Sequence, residues 1–169
     1  MRPLLSIRLR PSASAAFDHP PTPLRKPATM QLSTYLSFDG DCRQAFEFYA
    51  RTLGGEVVAL MTFADNPGCD EIGAEERDKI MHGCYRLGGF ELMGTDATAL
   101  YPYRGVNGAH VVLGLSEVAE AERIFAALAD GGTVQMPLQQ TFWAQRYGIV
   151  ADRFGVPWMI NCAEAACVP

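Results

Sequence analysis

The chain has 169 residues, 49% of them hydrophobic, and a formal net charge of −5; this suits one ordinary domain, or two small fused modules, with a real core. Five basic residues and one acid before Met30 give that segment +4 and leave −9 for residues 30–169. An acidic body without a basic stripe argues against nucleic-acid binding, and no apolar run is long enough to cross a bilayer as a helix.

Residues 1–29 are rich in Pro, Arg, Ser and Ala and have no periodic apolar face, so they are expected to be disordered. Two readings of this segment stand. It is a native tail or targeting segment, Arg-rich and acid-poor as transit peptides are, or it lies upstream of a translation start at Met30.

A strand is predicted over Leu32–Phe38, followed by a turn at Asp39-Gly40-Asp41 in which Asp41 would cap the next helix. That helix, Cys42–Leu53, places Ala45, Phe46, Tyr49 and Leu53 on one face, and Gly54-Gly55 stops it. Glu56–Phe63 reads as a second strand. Ala64–Lys79 is an acid-rich insertion with a Pro-Gly turn, either a lid over a pocket or a plain solvated loop. Ile80–Leu87 and Phe90–Thr95 form a hairpin about Gly88-Gly89, and residues 97–105 form an extended linker.

The second half repeats the order. A strand over Ala109–Leu115 precedes a helix, Glu117–Ala129, closed by Gly131-Gly132. A strand begins at Thr133, and Pro137 within it marks an edge or a bulge. Another ends near Ala151, and the last follows the turn Asp152-Arg153-Phe154-Gly155. Laying Gly54-Gly55 over Gly131-Gly132 brings Leu36 onto Leu113, Phe38 onto Leu115 and Phe48 onto Phe125. The expected architecture is therefore α+β: two tandem βαβββ modules, residues 30–96 and 106–162, between the extension 1–29 and a short tail 163–169. Five cysteines without a CxxC pair read as free thiols in a reducing cytoplasm.

YLSFDGDCRQAFEFY, KIMHG at Lys79–Gly83, ELMGTD at Glu91–Asp96 and TFWAQRYGIVADRFGVPWMIN resemble the vicinal oxygen chelate superfamily. That group holds glyoxalase I, extradiol dioxygenases and bleomycin-binding proteins; within it the chain looks most like the PhnB-like branch. The resemblance covers residues 30–162. It implies an incomplete barrel around a pocket, a homodimer, and a divalent ion held by His, Gln and Glu from four strands. Such an ion acts as a Lewis acid with open coordination positions.

Carried onto this chain, the first-strand ligand falls on Ser33 or Thr34 and the fourth-strand ligand on Met93, or on Glu91 after a two-residue shift. The fifth-strand ligand falls on His110 and the eighth-strand ligand on Met159. Most of the set is replaced, so no cofactor is expected and a pocket for a small organic molecule is the leading reading. The alternative is a lyase, isomerase or dioxygenase holding Mn, Ni, Fe, Co or Zn through His82, His110 and Glu91. Tyr35, His82, His110, Trp143, Arg146, Tyr147 and Trp158 are the ligand-pocket candidates. Aromatics around a cation suit a flat or anionic ligand. The competing reading puts Trp143 and Trp158 in the core and pairs Arg146 with an acid such as Asp152. The methyltransferase label borne by some PhnB-like proteins finds no glycine-rich nucleotide loop here.

Overall fold

The computed structural model describes residues 31–68 and 72–163. Expectations about residues 1–29, about Cys69 and Cys167, and about all of the tail after Ala163 lie outside them.

Two modules of one topology make up the fold. The first runs β1 (Thr34–Phe38), α1 (Cys42–Leu53), β2 (Glu56–Thr62), β3 (Ile80–Leu87) and β4 (Phe90–Asp96). The second runs β5 (Val111–Leu115), α2 (Val118–Ala129), β6 (Thr133–Gln139), β7 (Ala144–Ala151) and β8 (Pro157–Ala163). Each forms a four-stranded sheet, ordered β1-β4-β3-β2 and β5-β8-β7-β6. In both, the first strand of the module lies parallel to the last, and the remaining pairs are antiparallel. The α+β class and the tandem arrangement are as the sequence indicates, and neither sheet closes on itself.

Helical spacing determines which side of each helix is covered. On α1 the buried residues are Cys42, Ala45, Phe46, Tyr49 and Thr52; on α2 they are Ala121, Ile124, Phe125 and Leu128. Each helix presses a phenylalanine onto a strand glycine. A Cβ on Gly83 would lie 2.8 Å from Phe46, and one on Gly148 would lie 2.8 Å from Phe125. The counterpart of Phe125 is thus Phe46 rather than Phe48. Phe48 instead reaches across to Phe154, 5.8 Å between ring centroids, with the Arg153 guanidinium 5.0 Å over its ring.

The glycine pairs that end the helices do two jobs. Gly54, Gly55 and Gly131 have φ of 82°, 77° and 74°, a region other residues rarely enter. Gly55 and Gly132 also sit where a methyl group would overlap the backbone carbonyls of Arg86 and Ala151. A close helix-to-sheet approach therefore requires glycine at the second position of both pairs.

The α1 cap differs from expectation. Asp41 occupies the N-cap position without a side-chain hydrogen bond. Asp96, buried at the end of β4, accepts from the backbone N–H of Cys42 at 2.8 Å and of Ile80 at 2.7 Å. An acid 54 positions downstream does what the local one was expected to do.

Pro137 lies in β6, an edge strand whose pairing with β7 is irregular on both sides of Met136, as a proline in a strand requires. The described part of the insertion is tied down. Buried Glu76 accepts from Lys79 Nζ and from the backbone N–H of Ala99, both at 3.0 Å, and Lys79 Nζ donates to the Ala97 carbonyl at 2.8 Å. These contacts fasten the loop to the start of the linker. Among the described residues no helix is long and apolar enough to cross a membrane.

Candidate functional site

The helix-facing sides of the two sheets do not close completely on each other, and they leave a cavity of about 430 Å³ between the modules. Leu53, Tyr85, Leu87 and Leu92 form its wall on the first module; Val111, Leu113 and Trp158 form the wall on the second. Its polar groups are few: the Ser33 and Thr34 hydroxyls, Glu91 and His110. Tyr85 Oη already donates to the Gly54 carbonyl at 2.7 Å, and burial pushes its pKa up to about 12. Trp158 Nε1 is committed to Asp152 at 2.8 Å. Both rings therefore offer the cavity apolar surface, with their polar ends satisfied elsewhere.

Glu91 is held by Arg86, whose Nη2 and Nε lie 2.8 and 3.2 Å from Oε1. The same guanidinium reaches Glu56 at 3.4 Å. Hydrogen bonding to Glu91 raises the Arg86 pKa above its ordinary value.

The sequence-predicted residues divide by location. His110, Glu91 and Trp158 reach the cavity, as do Ser33 and Thr34; His82, Met93 and Met159 are not among its walls. Tyr35 and His82 meet on the other face of the first sheet, with Tyr35 Oη 3.3 Å from His82 Nδ1 and their rings stacked at 5.9 Å. Trp143 forms an outer aromatic cluster, its ring 4.5 Å from Phe142 and 5.6 Å from Tyr147.

Arg146 pairs with Glu122 of α2 at 2.9 Å rather than with Asp152. Strand parity explains this: Gly148 faces α2, so Arg146 two positions earlier does too, whereas Tyr147 points away. Trp143, Arg146, Tyr147 and Trp158 hence do not form one recognition group. Trp158 fills the core, as the competing reading has it, but Trp143 remains 44% exposed.

These residues do not compose the metal centre that the resemblance implies. The Glu91 carboxylate is engaged by Arg86, His82 stands on a different face from His110, and Thr34 supplies only a hydroxyl. Among the described residues no group of three or more His, Cys, Asp or Glu could hold an ion. The cavity walls Tyr85, Leu87 and Leu113 were not singled out from the sequence. Their signal was the alternation Gly83, Tyr85, Leu87 along β3, which places all three on the helix side.

The family model for the Glyoxalase/Bleomycin resistance protein/Dioxygenase superfamily matches residues 31–160. Protein YjdN of Escherichia coli (strain K12) is 39% identical over 145 residues, covering 80% of this chain and 97% of that one. The crystal structure of protein PA1353 from Pseudomonas aeruginosa has 47% identity and a TM-score of 0.74, and covers 80% of this chain and 99% of that one. A structure from Bacillus cereus titled as a putative 3-demethylubiquinone-9 3-methyltransferase, PhnB protein, shares the fold at 21% identity and a TM-score of 0.67, over 79% of this chain and 100% of that one. With matching topology in both modules and a match spanning nearly the whole described chain, this protein belongs to the Glyoxalase/Bleomycin resistance protein/Dioxygenase superfamily.

Proposed function

We infer that the protein binds a compact, largely apolar organic molecule in the cavity between its modules, with one polar group of the ligand at the His110 end. One observation carries this reading: a space of about 430 Å³ is walled mainly by leucine, valine and aromatic surface, with a few polar residues in its lining. Such a volume and lining are those of small-molecule sites, where apolar burial supplies affinity and a few polar groups set orientation. The metal-dependent lyase, isomerase or dioxygenase reading has less support, because His82, His110 and Glu91 do not meet at one point.

Two further parts of the reading rest on the same surfaces. A homodimer is supported by the aromatic and aliphatic side chains left exposed along the sheets, Tyr35, Val112 and Trp143 among them. A cytoplasmic location is supported by the free thiols of Cys42, Cys84 and Cys162.

The test is displacement of a fluorescent apolar probe, 1-anilinonaphthalene-8-sulfonate, in wild type and in two cavity-filling variants, Thr34→Trp and Leu113→Phe. Stoichiometric probe binding that both variants weaken at least tenfold supports the reading. Binding unchanged in both would place the probe elsewhere and sink it.

A further inference from the structure

The face of the first sheet turned away from α1 carries different chemistry from the cavity. Gly83 and Gly94 abut Phe46 and Phe38 on the helix side, so their neighbours His82, Cys84 and Met93 project from the opposite face. Register then sets donors side by side. Met61 stands directly across from His82, and Met93 directly across from Cys84. Residues so placed have Cβ atoms about 4.5–5.5 Å apart. Two neighbouring cross-strand pairs on one face thus carry a thioether beside an imidazole and a thioether beside a thiol.

Their exposure is graded. Met61 is 45% exposed, His82 and Met93 are intermediate, and Cys84 is 7% exposed. The thiol is the least exposed of the four groups. Cys84 is not in a disulfide. Tyr35 orients the imidazole, its Oη 3.3 Å from His82 Nδ1 and its ring stacked on the histidine. That contact engages one ring nitrogen and leaves Nε2 for coordination, the arrangement in which a second partner fixes a metal-ligating histidine.

We propose that Met61, His82, Cys84 and Met93 form a binding site for a soft monovalent cation, Cu(I). Thioether and thiolate sulfur select Cu(I), whereas carboxylate, carbonyl and water oxygen suit hard cations, and this donor set contains no oxygen. Binding releases one proton, from Cys84 Sγ. The thiolate then balances the single positive charge, so the loaded site is neutral and compatible with a mostly buried sulfur. With Cu(I) on Nε2, Nδ1 carries the ring proton and donates it to Tyr35 Oη. The two methionines are indispensable, since His, Cys, Asp and Glu alone make no cluster of three among the described residues. The second module has no such set: the equivalent face of β7 and β8 presents Tyr147, Ile149, Met159 and Asn161. The site is independent of the cavity reading, because none of its four donors lines the cavity.

The experiment is an anaerobic competition for Cu(I) between untagged protein and the chromophoric chelator bicinchoninate, on a Cys69→Ser/Cys167→Ser background. One equivalent of Cu(I) should leave the chelator per chain. Cys84→Ser should weaken binding by at least about 100-fold and Met61→Leu/Met93→Leu by at least about tenfold; Tyr35→Phe, a change in a positioning residue, should cost about tenfold. Leucine conserves methionine volume, and an unchanged melting temperature in the copper-free methionine variant confirms its fold. X-ray absorption of the loaded protein should show sulfur together with one nitrogen. Failure to draw copper from the chelator overturns the proposal, as do binding indifferent to loss of the two methionines and an all-sulfur absorption spectrum. Because Thr34→Trp fills the cavity and not this face, copper binding that survives it with probe binding lost separates the two sites.

Discussion

Tyr49 Oη donates to Asp152 Oδ2 at 2.6 Å, a bond spanning 103 positions that joins the helix of the first module to the last turn of the second. Asp152 also accepts from Trp158 Nε1 at 2.8 Å and from the backbone N–H of Phe154 and Val156 at 2.9 and 3.0 Å. It is 4% exposed, and these four donors stabilise its buried carboxylate. Burial, then the neighbouring Asp152 charge, hold the Tyr49 hydroxyl well above its ordinary pKa, and it remains a donor across the neutral range.

Removing the acceptor should therefore cost more than removing one donor. Tyr49→Phe is expected to lower stability by about 1.5–3 kcal/mol, the range for a hydrogen bond to a charged group. Asp152→Ala, which strands several buried donors at once, should cost more than about 4 kcal/mol. Urea unfolding at neutral pH measures both.

Asp41 works against the fold. Among the described residues its buried Oδ1 finds no hydrogen-bond partner, and burial, then the Asp96 charge, raise its carboxyl pKa above the usual value. A carboxyl whose folded pKa is raised favours folding below its unfolded value, near 3.8, and loses that contribution as pH rises through the folded value. Asp41→Asn should stabilise the protein at pH 7 by up to about 1 kcal/mol, given the partial exposure of the site. The gain should vanish below pH 3.8, where the wild-type carboxyl is protonated. Thermal melts from pH 3 to pH 8 would check this, and a difference independent of pH would contradict it.

The glycines offer a contrast in which conformation and space separate. Gly40 has φ of 91° with nothing within 4 Å of a built Cβ, so Gly40→Ala should cost about 1–2 kcal/mol through backbone strain alone. At Gly132 a Cβ would meet the carbonyls of Ala151 and Leu128. Gly132→Ala should cost at least about 3 kcal/mol, on the scale of a steric change that forces core elements apart. Chemical denaturation of the two variants compares them.

How much of this was legible in the sequence depended on the range of the interaction. Helix α1 was readable end to end because Ala45, Phe46 and Tyr49 recur at helical spacing and Gly54-Gly55 terminates the run. The repeated module was readable because Leu36 and Leu113 occupy equivalent strand positions, both facing the helices. The α1 cap was misassigned, since Asp41 is adjacent to the helix while Asp96 reaches it only through the sheet. The candidate site was harder for the same reason. A one-residue irregularity between Val57 and Ala59 resets which residues of β2 stand across from those of β3. It sets Met61 across from His82, and no local pattern announces that shift; alternation along β3, with Gly83 on the helix side, turns His82 away from the cavity.

The central claim, a ligand held between the modules, can be read from the two tryptophans. Trp158 lines the cavity and Trp143 does not, so their indole N–H resonances in a 1H–15N spectrum report on separate regions. As a small apolar ligand such as 1-anilinonaphthalene-8-sulfonate is titrated, the Trp158 signal should shift and saturate at one equivalent while the Trp143 signal stays in place. Movement of Trp143 alone, with Trp158 unperturbed to saturation, would contradict the account.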